Sequence, residues 1–330
     1  MKTKIRYSFL KLMTGSDLSR RRLPCMTAES GADGPVVWLT ACCHGDEVGG
    51  IVIIQELFRT IRKTGLLRGA LHAFPLMNPI GFEFRSRQIP LSKEDLNRTF
   101  PGDPKGSLGE RIAAIIFDRI LATAPSLVID LHNDWIRSIP YALIDARPDG
   151  EFIDTYRLTE TFARKSGLLV IRDSEELTRS LSHNLLTRHI PSLTLELGES
   201  YVINETNIGV GVKSLETILA DLEMLDPAGV GPAYALPRPF AGQTLAYCAK
   251  PYSSASGIIR FLAKPGEMVS RGKPVARIYN TFGKLMETIK APSSGIVLGH
   301  ADSSVAFPGI PVMAFGCPET GLSAERLPAV

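Results

Sequence analysis

The stretch Val36-Val-Trp-Leu-Thr-Ala-Cys-Cys-His-Gly-Asp-Glu47 decides the fold. Its first six residues are β-prone and apolar on both faces, as in a strand buried inside a parallel sheet. A helix is expected next, because Ile51, Ile54, Phe58 and Ile61 recur at helical spacing and Gly65 offers a stop. A strand over about 71–76 follows, then Asn78-Pro79 and a long loop over 80–106 rich in Pro, Gly and charge. Ser107 and Glu110 form a capping-box pattern ahead of Ile112, Ile116 and Ile120. Further strands are expected at 127–131, 141–145, 168–171 and 193–197. Helices are expected at about 151–165, 175–188 and from the last strand to about 225. Alternating strands and helices predict an α/β fold with a mostly parallel mixed sheet flanked by helices.

Composition shifts near residue 226. Asp226–Pro232 and Pro237–Pro239 read as a linker, and beyond about 240 Gly and Pro punctuate short strands at 257–262, 275–279 and 295–298. The expected division is an α/β domain over 1–230, a connecting segment over 231–255 and a small all-β module over 256–330.

The chain has 330 residues, 44% hydrophobic and 22% charged, with a formal net charge of +3. That charge is too small and too evenly spread to suggest a nucleic-acid partner. No apolar stretch approaches the roughly 20 residues of a membrane span. The basic N-terminus is followed by Lys11 and no small-residue cleavage site, so no signal peptide is expected. Five cysteines lack framework spacing, and Cys42 and Cys43 read as buried thiols in a reducing, cytoplasmic setting.

Four segments carry chemistry: His44-Gly-Asp-Glu47, Asp95-Leu-Asn-Arg98, Asp130-Leu-His132 and Glu196-Leu-Gly198. Alone, His44-x-x-Glu47 is a weak signal, equally a polar turn whose acids suit a helix N-terminus. Its position past the carboxyl end of a strand strengthens the metal reading, because open α/β sheets place ligands there. His132 occupies the same kind of position on another strand, and Glu196 is close to the end of a third. Two imidazoles and a carboxylate form a zinc set that leaves one coordination position open. Asp130 either steadies the His132 imidazole or points to the other face of its strand. Gly49 and Gly50 each cost roughly 1 kcal/mol in an early helical turn, so close packing of that turn on the sheet is expected. A carboxylate on a buried strand, as at Glu196, requires a partner or a purpose.

Together the four segments resemble, in order and over roughly residues 35–225, the succinylglutamate desuccinylase/aspartoacylase family of zinc hydrolases with a carboxypeptidase-like fold. The resemblance implies that His44, Glu47 and His132 hold one Zn2+ per chain and that Glu196 activates water. It implies that Asn97 and Arg98 hold a substrate carboxylate. Arg87 looks like the arginine that stabilises the oxyanion, with Arg85 a competitor for that role. The implied reaction is deacylation of a small N-acyl amino acid. A zinc metallocarboxypeptidase acting on short peptides would use the same residues. A metal-binding or carrier-like protein without turnover is the alternative from another class, against which retention of Glu196 argues. No nucleic-acid or membrane partner is expected, and the oligomeric state, homo-oligomer included, stays open.

Residues 256–316 resemble a barrel-sandwich hybrid of the biotinyl/lipoyl type, through Lys264–Gly272 and Ala291–Val297. Lys284 falls near the carrier position but is flanked by Gly283 and Leu285 rather than methionines. A β cap beside the active site is therefore expected, not a modified lysine.

Overall fold

The computed structural model describes residues 3–15, 18–227, 238–248 and 251–318. Most of the segment read as a linker, 228–237, and the tail 319–330 of the expected module lie outside the described residues.

The elements run β1 (Lys4–Thr14), β2 (Arg20–Glu29), β3 (Val36–Ala41), α1 (Gly49–Thr64), β4 (Ala70–Phe74), α2 (Pro79–Phe84), α3 (Leu108–Leu121) and β5 (Leu127–His132). Next come β6 (Arg137–Ser138), β7 (Pro140–Ile144), α4 (Ile153–Lys165), β8 (Leu169–Arg172), α5 (Leu181–Leu186), β9 (Ser192–Leu197) and α6 (Glu205–Asp221). The C-terminal part holds β10 (Thr244–Cys248), β11 (Gly257–Phe261), β12 (Met268–Val269), β13 (Pro274–Tyr279), β14 (Leu285–Lys290), β15 (Gly295–His300), β16 (Val305–Ala306) and β17 (Met313–Pro318).

The main sheet runs β1-β2-β4-β3-β5-β9-β7-β8-β10-β17-β15-β12, with β6 beside β15. Its centre is parallel across β4, β3, β5 and β9, and β7 is antiparallel to β9. β10, inside the expected connecting segment, pairs in parallel with β8 and antiparallel with β17. One sheet therefore runs from the α/β part into the C-terminal strands. A second, antiparallel sheet, β14-β13-β11-β16, completes the C-terminal region.

Strand alternation sorts the core onto two faces. Val37, Leu39, Ala41, Leu127, Ile129, Leu131, Leu193 and Leu195 pack with the apolar stripe of α1, Ile53, Ile54, Leu57, Phe58 and Ile61, and with α6. Trp38 and Val128 face the opposite layer, built from Ile112, Ile116 and Phe117 of α3 and Leu181 and Leu185 of α5. Gly65 ends α1 with φ at 83°, and Ser107 and Glu110 close the capping box of α3. The chain leaves β3 through α1 to β4 on one side, then crosses through α3 to β5 on the other. The strand order reverses at β3, so a crevice opens at the carboxyl ends of β3 and β5.

Two local expectations are corrected, and one element is new. The loop 80–106 contains α2, started by Asn78 accepting a bond from the Gly81 amide at 2.8 Å with Pro79 in the first turn. The helix expected at 175–188 is only Leu181–Leu186, because Ser180 caps it by accepting from the His183 amide. The N-terminal β1–β2 hairpin, absent from the sequence-based expectations, pairs with β4. β1 is a largely exposed edge strand, so its alternation is masked by charge.

Candidate active site

The crevice at the strand switch holds a cavity of about 260 Å³. Along β5, Leu127, Ile129 and Leu131 point to the α1 layer, so Asp130 and His132 share the opposite face with Val128. β5 and β9 are in parallel register with His132 opposite Glu196, and Thr40 of β3 lies opposite Asp130. His44 and Glu47 reach the same place from the turn between β3 and α1. Gly50 lets that turn sit on the sheet: a Cβ there would lie 2.8 Å from the Cβ atoms of Ala41 and Leu131. A Cβ on Gly49 would lie 3.0 Å from the Asn133 side-chain amide. Close packing, as expected, explains both glycines.

His44, Glu47 and His132 are all buried, and one potential ligand atom from each lies within 4.8 Å of the others. The Glu47 carboxylate stands between the imidazoles, 2.6 Å from His44 Nδ1 and 2.8 Å from His132 Nδ1. Each ring's other nitrogen has its own carboxylate: His132 Nε2 meets Asp130 Oδ2 at 2.9 Å and His44 Nε2 meets Asp95 Oδ1 at 3.1 Å. Asp130 also accepts from the Thr40 hydroxyl at 2.7 Å, so it steadies the imidazole rather than pointing away. This arrangement fits a divalent metal. Carboxylates on the outer nitrogens keep protons there and turn the Nδ1 lone pairs inward, toward the remaining carboxylate.

The electrostatics follow. Burial would raise the Glu47 carboxyl, but the His44 and His132 imidazoles outweigh it and hold it well below the usual range. Asp95 is likewise held down, against burial, by His44 and the Arg87 and Arg98 guanidiniums. Glu196 goes the other way: burial pushes its carboxyl well up, and Asp134 adds to the effect. Its Oε2 is buried and has no hydrogen-bond partner among the described residues.

Arg87 and Arg98 both line the cavity. Arg87 Nε donates to Asp95 Oδ2 at 3.2 Å, and Arg87 Nη1 lies 3.5 Å from Glu47 Oε1. Arg85 instead ends α2 in a left-handed conformation and is not part of the cavity wall. Asn97 Oδ1 accepts from the Leu181 amide at 2.9 Å, which leaves its NH2 group as the free end. Arg98 is exposed and donates to the Asn97 carbonyl.

The structure gives roles to residues that the sequence left without one. Asp95 is the partner of His44; its place before Asn97-Arg98 is visible in the sequence, but its partner is not. Asp134 accepts from the Tyr141 hydroxyl at 2.6 Å, and burial pushes it up to about 7. Tyr247 of β10 lines the cavity and accepts from Trp135 Nε1 at 3.0 Å, so the segment after residue 240 supplies part of the wall. Asp145 and Asp173 follow the ends of β7 and β8 and line the far side with Ser182. Burial pushes the Asp145 carboxyl up to about 7, partly offset by the Ser182 hydroxyl that donates to it at 2.9 Å. Lys284 is exposed in the β13–β14 turn, its amide bonded to Asn280 Oδ1. No helix among the described residues is long and apolar enough to cross a membrane.

The succinylglutamate desuccinylase/aspartoacylase catalytic domain matches residues 33–222. The N-alpha-acetyl-L-2,4-diaminobutyric acid deacetylase of Halomonas elongata is 34% identical over 152 residues, 44% of this chain and 44% of the relative. The match thus spans less than half the length of that curated relative. The product-bound ectoine utilization protein EutE (DoeB) from Ruegeria pomeroyi superposes with a TM-score of 0.80 at 22% identity, over 95% of each chain. A metallo-carboxypeptidase from Burkholderia cenocepacia superposes at 0.50 with 18% identity, over 65% of this chain and 64% of that one, which marks the α/β part as carboxypeptidase-like. The domain match covers more than half of the sequence, and the chain belongs to the succinylglutamate desuccinylase/aspartoacylase family.

Proposed function

We propose that this protein is a zinc-dependent hydrolase that cleaves the amide bond of a small N-acyl amino acid. The observation that carries the reading is the convergence of His44 Nδ1, His132 Nδ1 and the Glu47 carboxylate beside the unpartnered Glu196 Oε2. A zinc ion held by His44, Glu47 and His132 would polarise the scissile carbonyl and bring a water's pKa toward about 7. Glu196 Oε2 accepts the proton of the attacking water and returns it to the leaving nitrogen. Its raised proton affinity suits the return of that proton to the leaving nitrogen. Arg87 stabilises the negative charge that develops on the carbonyl oxygen. Arg98 and the Asn97 NH2 group hold the substrate carboxylate as a planar fork and a neighbouring donor.

The far wall narrows the substrate. Asp145 and Asp173 place carboxylates where the substrate's own side chain would end. An ammonium group there would supply a countercharge for the half-buried Asp145 carboxylate. An N-acylated diamino acid, the substrate class in the name of the Halomonas relative, fits that wall. The small cavity favours such a molecule over the short peptides of a metallocarboxypeptidase. The test is a substrate series comprising N-acetyl-2,4-diaminobutyrate, N-acetylaspartate, N-succinylglutamate and short peptides. Turnover of an N-acyl amino acid that chelation abolishes and Zn2+ restores is expected. Release of C-terminal residues from peptides, with no deacylation, would establish the carboxypeptidase instead.

A further inference from the structure

Asn133 follows His132 at the end of β5, is only 5% exposed, and lines the catalytic cavity. The proposed reaction gives it no task, yet its contacts reach all three segments that carry the reacting groups. Its backbone N–H donates to Glu47 Oε2 at 3.2 Å. Its side-chain Oδ1 accepts from the amide of Gly49, the first residue of α1, at 3.2 Å. Its Nδ2 donates to the Leu197 and Gly198 carbonyls, just past Glu196, at 3.3 and 3.4 Å.

Local sequence explains why these contacts are made. The first amides of a helix have no intrahelical partner. Val48, at the N-cap position of α1, has no side-chain oxygen to offer them, and α1 carries no side-chain cap of its own. Asn133 supplies the missing acceptor from β5. At its other end the amide meets the turn after β9, where Gly198 has φ at 86° and its carbonyl also accepts from the Asp134 amide at 3.1 Å. Only one orientation of the Asn133 side chain fits: reversed, its NH2 would face a donor and its oxygen two acceptors. Gly49 leaves the room, since a Cβ there would lie 3.0 Å from both Oδ1 and Nδ2.

We infer that Asn133 is a positioning residue whose amide fixes the metal-ligand turn against the strand end that carries Glu196. This rests on the roles proposed for His44, Glu47, His132 and Glu196. His44 and Glu47 sit on the turn that runs into Gly49, and His132 is joined to Asn133 by one peptide bond. All three ligands and Glu196 are therefore referred to one side chain. A shift of α1 against β9 changes the distance between the ligands and the Glu196 carboxylate, and a misplacement of about 1 Å can cost about a hundredfold in rate.

The test is a cycle of the full chain with Asn133→Ala, Gly49→Ala and both together, read first as Zn2+ affinity by chelator competition without substrate. Asn133→Ala should weaken Zn2+ binding about 10–100-fold, the usual effect of losing a group that holds a ligand in place. Gly49→Ala should weaken it too, because the new Cβ displaces the amide, even though alanine favours the helix. The double variant should bind no more weakly than Asn133→Ala alone, since the displaced amide is then gone. In the turnover of an N-acyl amino acid, kcat should fall in both single variants while KM changes little. Asn133→Asp keeps the side-chain shape but turns an oxygen toward the Leu197 and Gly198 carbonyls, so it should lose kcat as well and stays informative if Asn133→Ala fails to fold. A merely structural Asn133 predicts losses that add in the cycle, or Gly49→Ala with parental Zn2+ affinity; either result would overturn the inference, as would parental Zn2+ affinity and kcat in both Asn133 variants. Weakened, non-additive Zn2+ binding in a chain that deacylates no N-acyl amino acid would keep Asn133 in this role and overturn the proposed reaction instead.

Discussion

The two walls of the catalytic cavity are built on opposite terms. On the wall formed by β3, β5 and the 95–98 turn, both imidazoles have a carboxylate on each ring nitrogen, and those carboxylates are anchored in turn by Thr40, Arg87 and the Asn97 amide. On the other wall, Asp145 has one hydrogen-bond partner among the described residues, the Ser182 hydroxyl, and the charges of Asp173 and Glu176 add to the burial that raises its carboxyl. The first wall is overdetermined, as a site must be to hold reacting groups in fixed geometry. The second keeps Asp145 protonated to about pH 7, and an incoming cation would favour its ionised form. On the proposed function, the first wall would set the reaction type and hold the substrate carboxylate, and the second would select the substrate's side chain.

Substitutions on the two walls should therefore fail differently. His132→Ala should release the metal and abolish activity, and unchanged zinc content by elemental analysis would remove His132 from the ligand set. Glu196→Gln should keep one zinc per chain and lose turnover by about a hundred- to ten-thousandfold, the span of general acid–base catalysis. Substantial residual activity there would exclude Glu196 as the proton carrier. Asp95→Ala should retain the fold and weaken metal affinity by about 10–100-fold, measured by competition with a chelator. Equal affinity would make the Asp95–His44 contact incidental.

Asp145→Asn should leave zinc content unchanged and lower kcat/KM most for substrates with a free ammonium group. An equal effect on neutral and cationic substrates would separate this wall from specificity. The same variant sharpens the contrast through pH. The folded chain keeps the Asp145 proton to about pH 7, whereas an unfolded aspartate releases it near about 4. Between those values the folded state binds more protons, so this residue's contribution to stability falls as pH rises. Denaturant titrations across that window should be flatter for Asp145→Asn than for the parent.

The first wall is far more legible in the sequence than the second. β3, β5 and β9 are short apolar runs, with His44 just past the end of the first and His132 and Glu196 in the last residues of the other two, so local pattern and strand-end placement coincide. Asp145 and Asp173 obey the same rule, each one residue past its strand, but neither belongs to a motif that sets it apart from a turn residue. The Asp95–His44 contact and the arrival of Tyr247 on β10 depend on chain segments far apart in sequence. The place of β10 is equally nonlocal: it pairs with β8 and β17 through ladders that no local period encodes.

The most direct test of the central claim is anomalous diffraction at the zinc edge from crystals grown with Zn2+. One peak is predicted about 2.0–2.2 Å from His44 Nδ1, His132 Nδ1 and a Glu47 oxygen. A zinc peak elsewhere in the chain, or none between these three residues, would contradict it.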